Sequence, residues 1–529
     1  MHWADVVALR LLERGLRHRV ASGTSISGQI HLGNAGDVIY ADGIARAVRG
    51  KGSDAEVLWI ADDVDPLRSV PEQLPASFAE HLGKPVSSLP DPDACHASLP
   101  DHFIEPFLAS LKEVGVAPVE KRGSKMYAAG EYDAAIRVAF ERAEEIRQIL
   151  VRVAKSKKPA GWLPFDPVCE ACGRIATTDA TGLEGDKVLY RCGGGVAGKK
   201  EMEGCGNEGA TSLRHGKLTW RVEWAARWQI LGVTCEPFGK EHSAAGGSYD
   251  TSKVICAEVF GYPPPLPVLY EHILVAGRKM SKSKGNVIPP SALLEVLPPE
   301  AVRYFYFRVD PNKHQDFDPS QKLLPLVEEY ERIQAIAAGR LAPSPREDAA
   351  DIRRTEELSR VDADGAAPVD GVPFNHLVTL AQLSSDTAEV LRLLKRSGYE
   401  VEEGTPEALR LGRRASLARR FCERWLGESD RIQVVLELAR VPFDKIGEGE
   451  RAFLRLLSRE LDGGSWTPAA IHDTVFKAAG ASGLSPKDAF RAVYLAVLGR
   501  EKGPRAGYFL SSLEPAFVVS RLREAGAPK

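Results

Sequence analysis

Apolar and polar positions fall into two textures along the chain. Up to about residue 300, short apolar runs alternate with helical periods; beyond it the periods are helical throughout. Val6 to Leu12 reads as a helix and Arg19 to Ser22 as a first strand. After His31, the residues Val38, Ile39, Ile44, Ala45 and Val48 recur on one helical face, with Gly50 as the stop. Glu56-Val57-Leu58-Trp59-Ile60 is a buried-strand run. Strand, glycine turn, helix, strand opens a parallel α/β sheet, whose ligands bind beyond the carboxyl ends of the strands.

Leu67 to Pro100 carries six prolines and predicts irregular structure over the mouth of that core. Phe103 to Val114 predicts a helix. Tyr132 to Lys155 predicts another, with Ile146, Ile149, Leu150 and Val153 on one face. Both helices are expected to interrupt the nucleotide fold. Lys217 to Trp224 alternates as a strand does, Trp224 to Trp228 enters a helix, Val233 to Phe238 is a further strand, and Val268 to Val275 is the last. Ala301 to Arg308 is helical. Arg346 to Asp370 is charged and punctuated by Gly and Pro, as an exposed connection would be. Ala408 to Leu426 holds Arg410, Arg413, Arg414, Arg419, Arg420 and Arg424, a basic helix that suits either solvent or a phosphate backbone. With Ala489 to Leu498 also helical, the last third predicts an all-α module.

A chain of 529 residues must hold more than one core. Its 44% hydrophobic and 27% charged residues are those of a soluble globular protein. A net charge of −3 leaves any grip on nucleic acid to local patches. No apolar run spans a bilayer, and Met1-His2-Trp3-Ala4-Asp5 lacks the order of a signal peptide, so a cytoplasmic protein without membrane contact is expected. Of eight cysteines, Cys95, Cys235, Cys256 and Cys422 are scattered and read as ordinary reduced thiols. Cys169, Cys172, Cys192 and Cys205 cluster. The first two form a CxxC knuckle; twelve residues separate the second two, and Gly193-Gly194-Gly195 with Gly204 would let that excursion loop out and return. The set suits structural zinc, the alternatives being a knuckle that folds without metal or redox chemistry.

Two distant stretches carry the chemistry. Ser22-Gly23-Thr24-Ser25-Ile26-Ser27-Gly28-Gln29-Ile30-His31-Leu32-Gly33-Asn34 sets glycines and hydroxyls between a strand and a helix N-terminus, where N–H groups and the helix dipole favour anions. Val275 to Asn286 places Ser281 and Ser283 among Lys279, Lys282 and Lys284, a basic loop suited to a triphosphate whose charge shifts during reaction. Asp62, Asp63 and Asp65 follow the second strand as turn aspartates or as a polar wall. Gly239-Lys240-Glu241-His242 repeats the strand-to-turn pattern at the same edge.

Together the two stretches resemble the paired signatures of class I aminoacyl-tRNA synthetases. His31-Leu32-Gly33-Asn34 is similar to the first, and Lys279-Met280-Ser281-Lys282-Ser283 to the second. Asn34, where the generic pattern has a second histidine, points to the archaeal-type class I lysyl-tRNA synthetases. Trp220-Arg221-Val222-Glu223-Trp224 and Gly246 to Thr251 resemble that branch most specifically. Ile26 stands where the family usually has proline, and Glu223 and Glu241 where aspartate is common.

The resemblance implies lysine activation by ATP, with Mg2+, followed by lysyl transfer to the 3′ adenosine of tRNA(Lys). It gives His31, Asn34, Lys279 and Lys282 catalytic roles. It assigns ATP to His31, Gly33, Asn34, Gly239, Lys279, Ser281 and Lys282. Substrate lysine goes to Gly23, Ser25, Trp220, Glu223, His242 and Tyr270, with Glu223 on the ε-ammonium. The expected organisation is a Rossmann-like catalytic domain in two halves, 1–115 and 216–300, with an inserted helical and Cys-rich zinc-knuckle subdomain at 116–215. A helical connection at 301–345 and an α-helical anticodon-binding domain at 346–529 follow, and the protein is expected to be a monomer. The alternatives are a glutamyl-tRNA synthetase-like enzyme, a small-molecule nucleotidyltransferase, and a non-catalytic tRNA-binding paralogue.

Overall fold

Five strands build the central sheet of the computed structural model: β1 (Arg17–Ser25), β2 (Asp54–Asp62), β3 (Val119–Arg122), β4 (Cys235–Gly239) and β5 (Leu266–Tyr270). All pairings are parallel, in the order β5-β4-β1-β2-β3, with Val20 of β1 facing Val57 on one side and Cys235 on the other. The chain starts mid-sheet, runs outward through β2 and β3, and returns to the other side of β1 for β4 and β5. That reversal opens a crevice beyond the carboxyl ends of β1 and β4, where ligands of open parallel sheets bind. The helix Leu32–Arg49 (α2) packs beside β1 and β2, Trp3–Leu12 (α1) packs on α2, and Leu99–Glu113 (α3) precedes β3.

The structure describes residues 1–275, 277–280, 287–317, 323–362, 371–384, 386–402, 404–428 and 431–528. By its internal contacts the chain divides into two units. The first is Met1–Leu294, Pro299–Asp318 and Ile336–Ala366; the second is Glu295–Pro298, Pro319–Ala335 and Ala367–Lys529.

Four expectations for the first unit need correction. Tyr132 to Lys155 is two helices, Asp133–Glu141 and Ala143–Ala154. They break at Arg142, whose guanidinium donates to the Val259 carbonyl at 2.7 Å. The strand expected over Lys217 to Trp224 stops at Leu218, pairing antiparallel with Phe165–Pro167, and Trp220–Leu231 (α4) is helical from its first tryptophan. Trp220, Trp224 and Trp228 are spaced by four, so a helix stacks their rings on one face, at 5.2 and 5.0 Å between centroids. The run Val268 to Val275 is also split. Glu271 donates its N–H to Pro311, and Ile273–Val275 joins a separate three-stranded sheet with Arg278–Lys279 and Gln315–Phe317. Finally, the expected connection from Arg346 holds a helix, Ala349–Ser359, capped by Asp348, while residues 363–370 lie outside the described ones.

The second unit is helical, and three of its helices start from the same sequence device. Thr405-Pro406, Thr467-Pro468 and Ser485-Pro486 each set a hydroxyl cap before a proline in the first turn. Phe453, Leu457, Ile471, Val475, Val493, Val497 and Leu522 belong to its core. In the arginine-rich helix Pro406–Arg424, several guanidiniums are tied down within the unit. Arg414 pairs with Glu331 at 2.7 Å, Arg424 pairs with Glu295, and Arg420 donates to the Glu295 carbonyl.

Candidate active site

The carboxyl end of β1 runs into a turn that stops at His31, the N-cap of α2. Imidazole Nδ1 of His31 accepts from the Gly33 N–H at 3.1 Å, and Oδ1 of Asn34 accepts from the His31 N–H at 3.4 Å. Two of the candidate catalytic residues thus form the capping box of the helix that presents them. Because Nδ1 accepts, the ring proton is assigned to Nε2, a donor suited to an anion. A Cβ on Gly33 would lie 3.0 Å from that imidazole, so a larger residue would push the ring away.

Ser281 and Lys282, with the rest of 281–286, lie outside the described residues, but the stretches on either side of them reach the same turn. Met280 Cε lies 3.8 Å from where a Gly33 Cβ would be, and Leu32 donates its N–H to the Ile288 carbonyl at 2.9 Å. Tyr306 also bonds Leu32, through its carbonyl, at 2.9 Å. Lys279, more than half exposed, sets its ammonium 3.0 Å from His272 Nε2 and 3.8 Å from Glu241. Gly239 ends β4 at this rim, with the Glu241 carboxylate folded against it.

The residues expected to bind an amino acid gather beyond the ends of β1, β4 and β5 and on the first turns of α4. A Cβ on Gly23 would meet Asp62 at 3.4 Å and Arg227 at 3.5 Å, and Ser25 donates to Asp65 at 3.3 Å. Trp220 is half-buried against Trp224, whose ring lies 5.6 Å from His242. Burial lowers the His242 pKa, against the pull of Glu241. Tyr270 packs on Tyr40 at 5.5 Å.

Glu223 differs from expectation: it faces an ammonium of the protein itself. It is 1% exposed, its Oε2 lies 2.7 Å from Lys217 Nζ, and its Oε1 accepts from Tyr127 at 3.0 Å. Lys217 also bonds Asp65 at 2.6 Å, while Arg227 pairs with Asp62 and reaches Glu223 at 3.6 Å. Three carboxylates and two cations are therefore buried together under the crevice, leaving one surplus negative charge. Burial pushes the Asp62 carboxyl up to about 6, against the opposing pull of Arg227. Asp63 is separate, accepting from Ser124.

Sequence reasoning passed over Lys217, which alternation made part of a strand. It also passed over Asp37, one turn past Gly33 on α2. Asp37 is buried, and its Oδ1 has no hydrogen-bond partner among the described residues. Burial, then the charges of Glu241 and Glu236, raise its pKa well above the usual carboxylate range. The signal was a carboxylate on an otherwise apolar helix face.

Cys169, Cys172, Cys192 and Cys205 converge. Their Sγ atoms lie within 4.8 Å of one another, with Cys169–Cys205 at 3.6 Å and Cys172–Cys192 at 3.8 Å. A tetrahedron with Zn–S bonds of about 2.3 Å has edges of about 3.8 Å, so the four thiols fit zinc. The excursion between Cys192 and Cys205 is a hairpin, Gly194–Ala197 with Lys200–Glu203. Gly195 and Gly204 return it against the Ala176 and Cys192 carbonyls, where a Cβ would collide.

A second convergence corrects the reading of Cys95 as an isolated thiol. Asp91, Cys95, His96 and His102 bring one ligand atom each within 4.8 Å of the others. Cys95 Sγ is 3.0 Å from His96 Nδ1 and 3.4 Å from His102 Nδ1, and His102 Nδ1 is 3.0 Å from Asp91. The outward nitrogens face carboxylates, His96 Nε2 toward Glu105 at 3.5 Å and His102 Nε2 toward Asp93 at 3.9 Å. Carboxylates behind imidazoles commonly orient metal-ligating histidines. The signal was a Cys-His pair with an aspartate four residues before and a histidine six after.

A parallel sheet with a capped histidine turn at its switch point, with Met280 and Ile288 from either side of a lysine–serine signature held against that turn, has the features of a class I tRNA synthetase. The model of the family described as tRNA synthetases class I (K) matches residues 1–362. The lysine--tRNA ligase of Archaeoglobus fulgidus is 40% identical, aligned over 99% of this chain and 100% of its own. That of Methanosarcina barkeri (strain Fusaro) is 38% identical over 99% and 98%. The chain belongs to the class I (K) tRNA synthetases. A solved glutamate tRNA ligase from Elizabethkingia meningosepticum aligns with 96% of this chain and 99% of its own at 14% identity, with a TM-score of 0.41.

Proposed function

We infer that the chain is a lysine--tRNA ligase: it joins lysine to ATP, releasing pyrophosphate, and passes the lysyl group to the 3′ adenosine of tRNA(Lys). The observation that supports this reading is the approach of Met280 and Ile288, which flank the lysine–serine signature in sequence, to Gly33 and Leu32 of the histidine turn. In the first step a carboxylate oxygen of lysine attacks the α-phosphorus in line and the bond to the β-phosphate oxygen breaks. Positioning and charge stabilisation carry the rate. His31 donates from Nε2 and Asn34 from its amide. Gly33 and Gly239 let the nucleotide lie against backbone. Lys279, Ser281 and Lys282 hold the departing pyrophosphate, and Mg2+ enters on the ATP phosphates. In the second step the tRNA hydroxyl attacks the acyl carbon and AMP leaves.

Gly23, Ser25, Trp220, His242 and Tyr270 shape the amino-acid pocket. The buried surplus negative charge suits the substrate's ammonium, since an unpaired ammonium there would be very costly. Glu223 contributes through Lys217 and Arg227 and not by direct contact.

The domain division expected from the sequence belongs to this reading, with the helical module from 346 onward on the anticodon. So do the cytoplasmic location and the monomer. Zinc in the four-cysteine site would close the insert, and the same metal in the Asp91–Cys95–His96–His102 site would tie the proline-rich stretch to α3. Four protein ligands leave no open position, so both are structural.

Charging total tRNA with each labelled amino acid tests the function. Lysine alone is expected; glutamate would favour a glutamyl enzyme, and no adenylate at all a non-catalytic paralogue. Metal analysis of the purified protein should give two zinc ions per chain, falling by one in Cys172→Ser and by one in His102→Gln.

A further inference from the structure

Glu236 is a buried carboxylate with no cation against it. It lies on β4, is 5% exposed, and belongs to no ion pair among the described residues. Among those residues its oxygens accept only from two indoles, Oε1 from Trp224 at 3.0 Å and Oε2 from Trp228 at 2.5 Å. Arg227 acts on it only from a distance, being paired with Asp62. Burial raises the Glu236 pKa, against the two indole bonds. Indoles are neutral, so they satisfy hydrogen bonds and leave the charge uncompensated. A buried charge of that kind is costly until a cation arrives, and each carboxylate oxygen keeps a lone pair to receive one.

The walls near it are aromatic. Phe238, two residues on, shares the Glu236 face of the strand. Trp224 lies 5.3 Å from Phe238 and 5.6 Å from His242 between centroids, and Phe238 lies 6.3 Å from His242. Such rings hold a hydrocarbon stem and attract an ammonium through their faces. Burial keeps the His242 imidazole toward its neutral form, so it brings no competing charge. Val20 of β1 is in register with Cys235, which sets the small side chain of Ala21 beside Glu236. Glu236 stands three residues before Gly239 at the rim, about 10 Å down the strand. That depth suits a substrate held by its carboxylate at the rim, with its cation at the end of a four-methylene stem.

We propose that Glu236 takes the ε-ammonium of substrate lysine, at the floor of a box walled by Trp224, Phe238 and His242. The proposal rests on the lysine--tRNA ligase reading and deepens it by naming the acid that touches the substrate side chain, since Glu223 is taken up by Lys217 and Tyr127. A glutamate side chain would meet a like charge here and be rejected. Norleucine, which lacks only the ammonium, would leave the acid unpaired.

The test is charging of whole tRNA(Lys) by the full chain, with lysine varied and norleucine as the competing inhibitor. Glu236→Gln should raise the lysine KM about 100-fold or more, while the norleucine inhibition constant stays within about three-fold and the KM for ATP within about two-fold. A purely structural role for Glu236 would shift lysine and norleucine alike. Glu236→Asp keeps the charge but withdraws it by a methylene, so it should also lower the preference for lysine over norleucine, by less. It carries the test if the glutamine variant does not fold. A native protein that charges tRNA with lysine, and whose folded variants keep the native preference over norleucine, overturns the proposal alone. A native protein that charges no tRNA with lysine overturns the functional reading, and the proposal with it.

Discussion

The interiors of the two units handle buried charge differently. Under the crevice of the first, Asp62, Asp65, Glu223, Lys217 and Arg227 are buried in contact, and Glu236 accepts from the indoles of Trp224 and Trp228 at 3.0 and 2.5 Å. In the second, apolar residues such as Phe453, Leu457 and Val493 form the core, and its buried guanidiniums, Arg451 and Arg521, donate to backbone carbonyls. A histidine near it, His376, is 2% exposed with neither ring nitrogen hydrogen-bonded among the described residues. Rings follow the reverse rule: the tryptophans of α4 are packed inward, while His472 and Phe476 face solvent. Buried ion pairs are weak evidence for stability, since burying charge costs several kcal/mol per ion. They make sense where a charged substrate has to be met by a preset field, the role proposed above for the first unit.

The largest effect should come from breaking the buried pairs. Lys217→Met strands Asp65 and Glu223 without their ammonium and should destabilise the first unit by about 3–5 kcal/mol in urea unfolding. Lys217→Met/Glu223→Gln should recover part of that. A loss below about 1 kcal/mol in the single variant would mean the network is more hydrated than the structure draws it.

Next in size is the rim. His31→Asn keeps a capping acceptor but removes the Nε2 donor, so adenylate formation in a single turnover should fall about 10²- to 10³-fold. Folding stability should change by less than about 1 kcal/mol. A fall in stability as large as the fall in rate would make the histidine a cap and nothing more.

The third test addresses the second unit. Burial lowers the His376 pKa to about 4, against 6.5 for an ordinary imidazole. Between those values the unfolded chain takes up a proton that the folded chain refuses. The contribution is therefore fully present above about pH 6.5 and is lost as pH falls toward 4, by about 3 kcal/mol in all. His376→Phe should flatten that slope, as read from urea midpoints between pH 7 and 4. A slope that survives the substitution would assign it to other groups.

Much of this molecule was legible in its residues because the relevant signals are local. Gly and hydroxyl residues between a strand and a helical period located the histidine turn. A knuckle with glycine-rich flanks announced the cysteine cluster, and the excursion that its glycines were expected to let out and back is a hairpin. Where period-2 and period-4 patterns overlap, alternation alone points the wrong way. Lys217 to Trp224 fits alternation, but the rings of Trp220, Trp224 and Trp228 gain more by stacking along a helix.

The sequence alone determined which chemistry was available: a donor-rich turn, a lysine–serine segment, thiols spaced for a metal. Tertiary structure decided what each group faces. It gave Glu223 to Lys217, drew Asp91, Cys95, His96 and His102 to one point, and anchored Met280 and Ile288 on the histidine turn. The reason is that hydrogen bonds and ion pairs act over a few ångströms in space, whereas the partners here stand from one to more than two hundred residues apart along the chain.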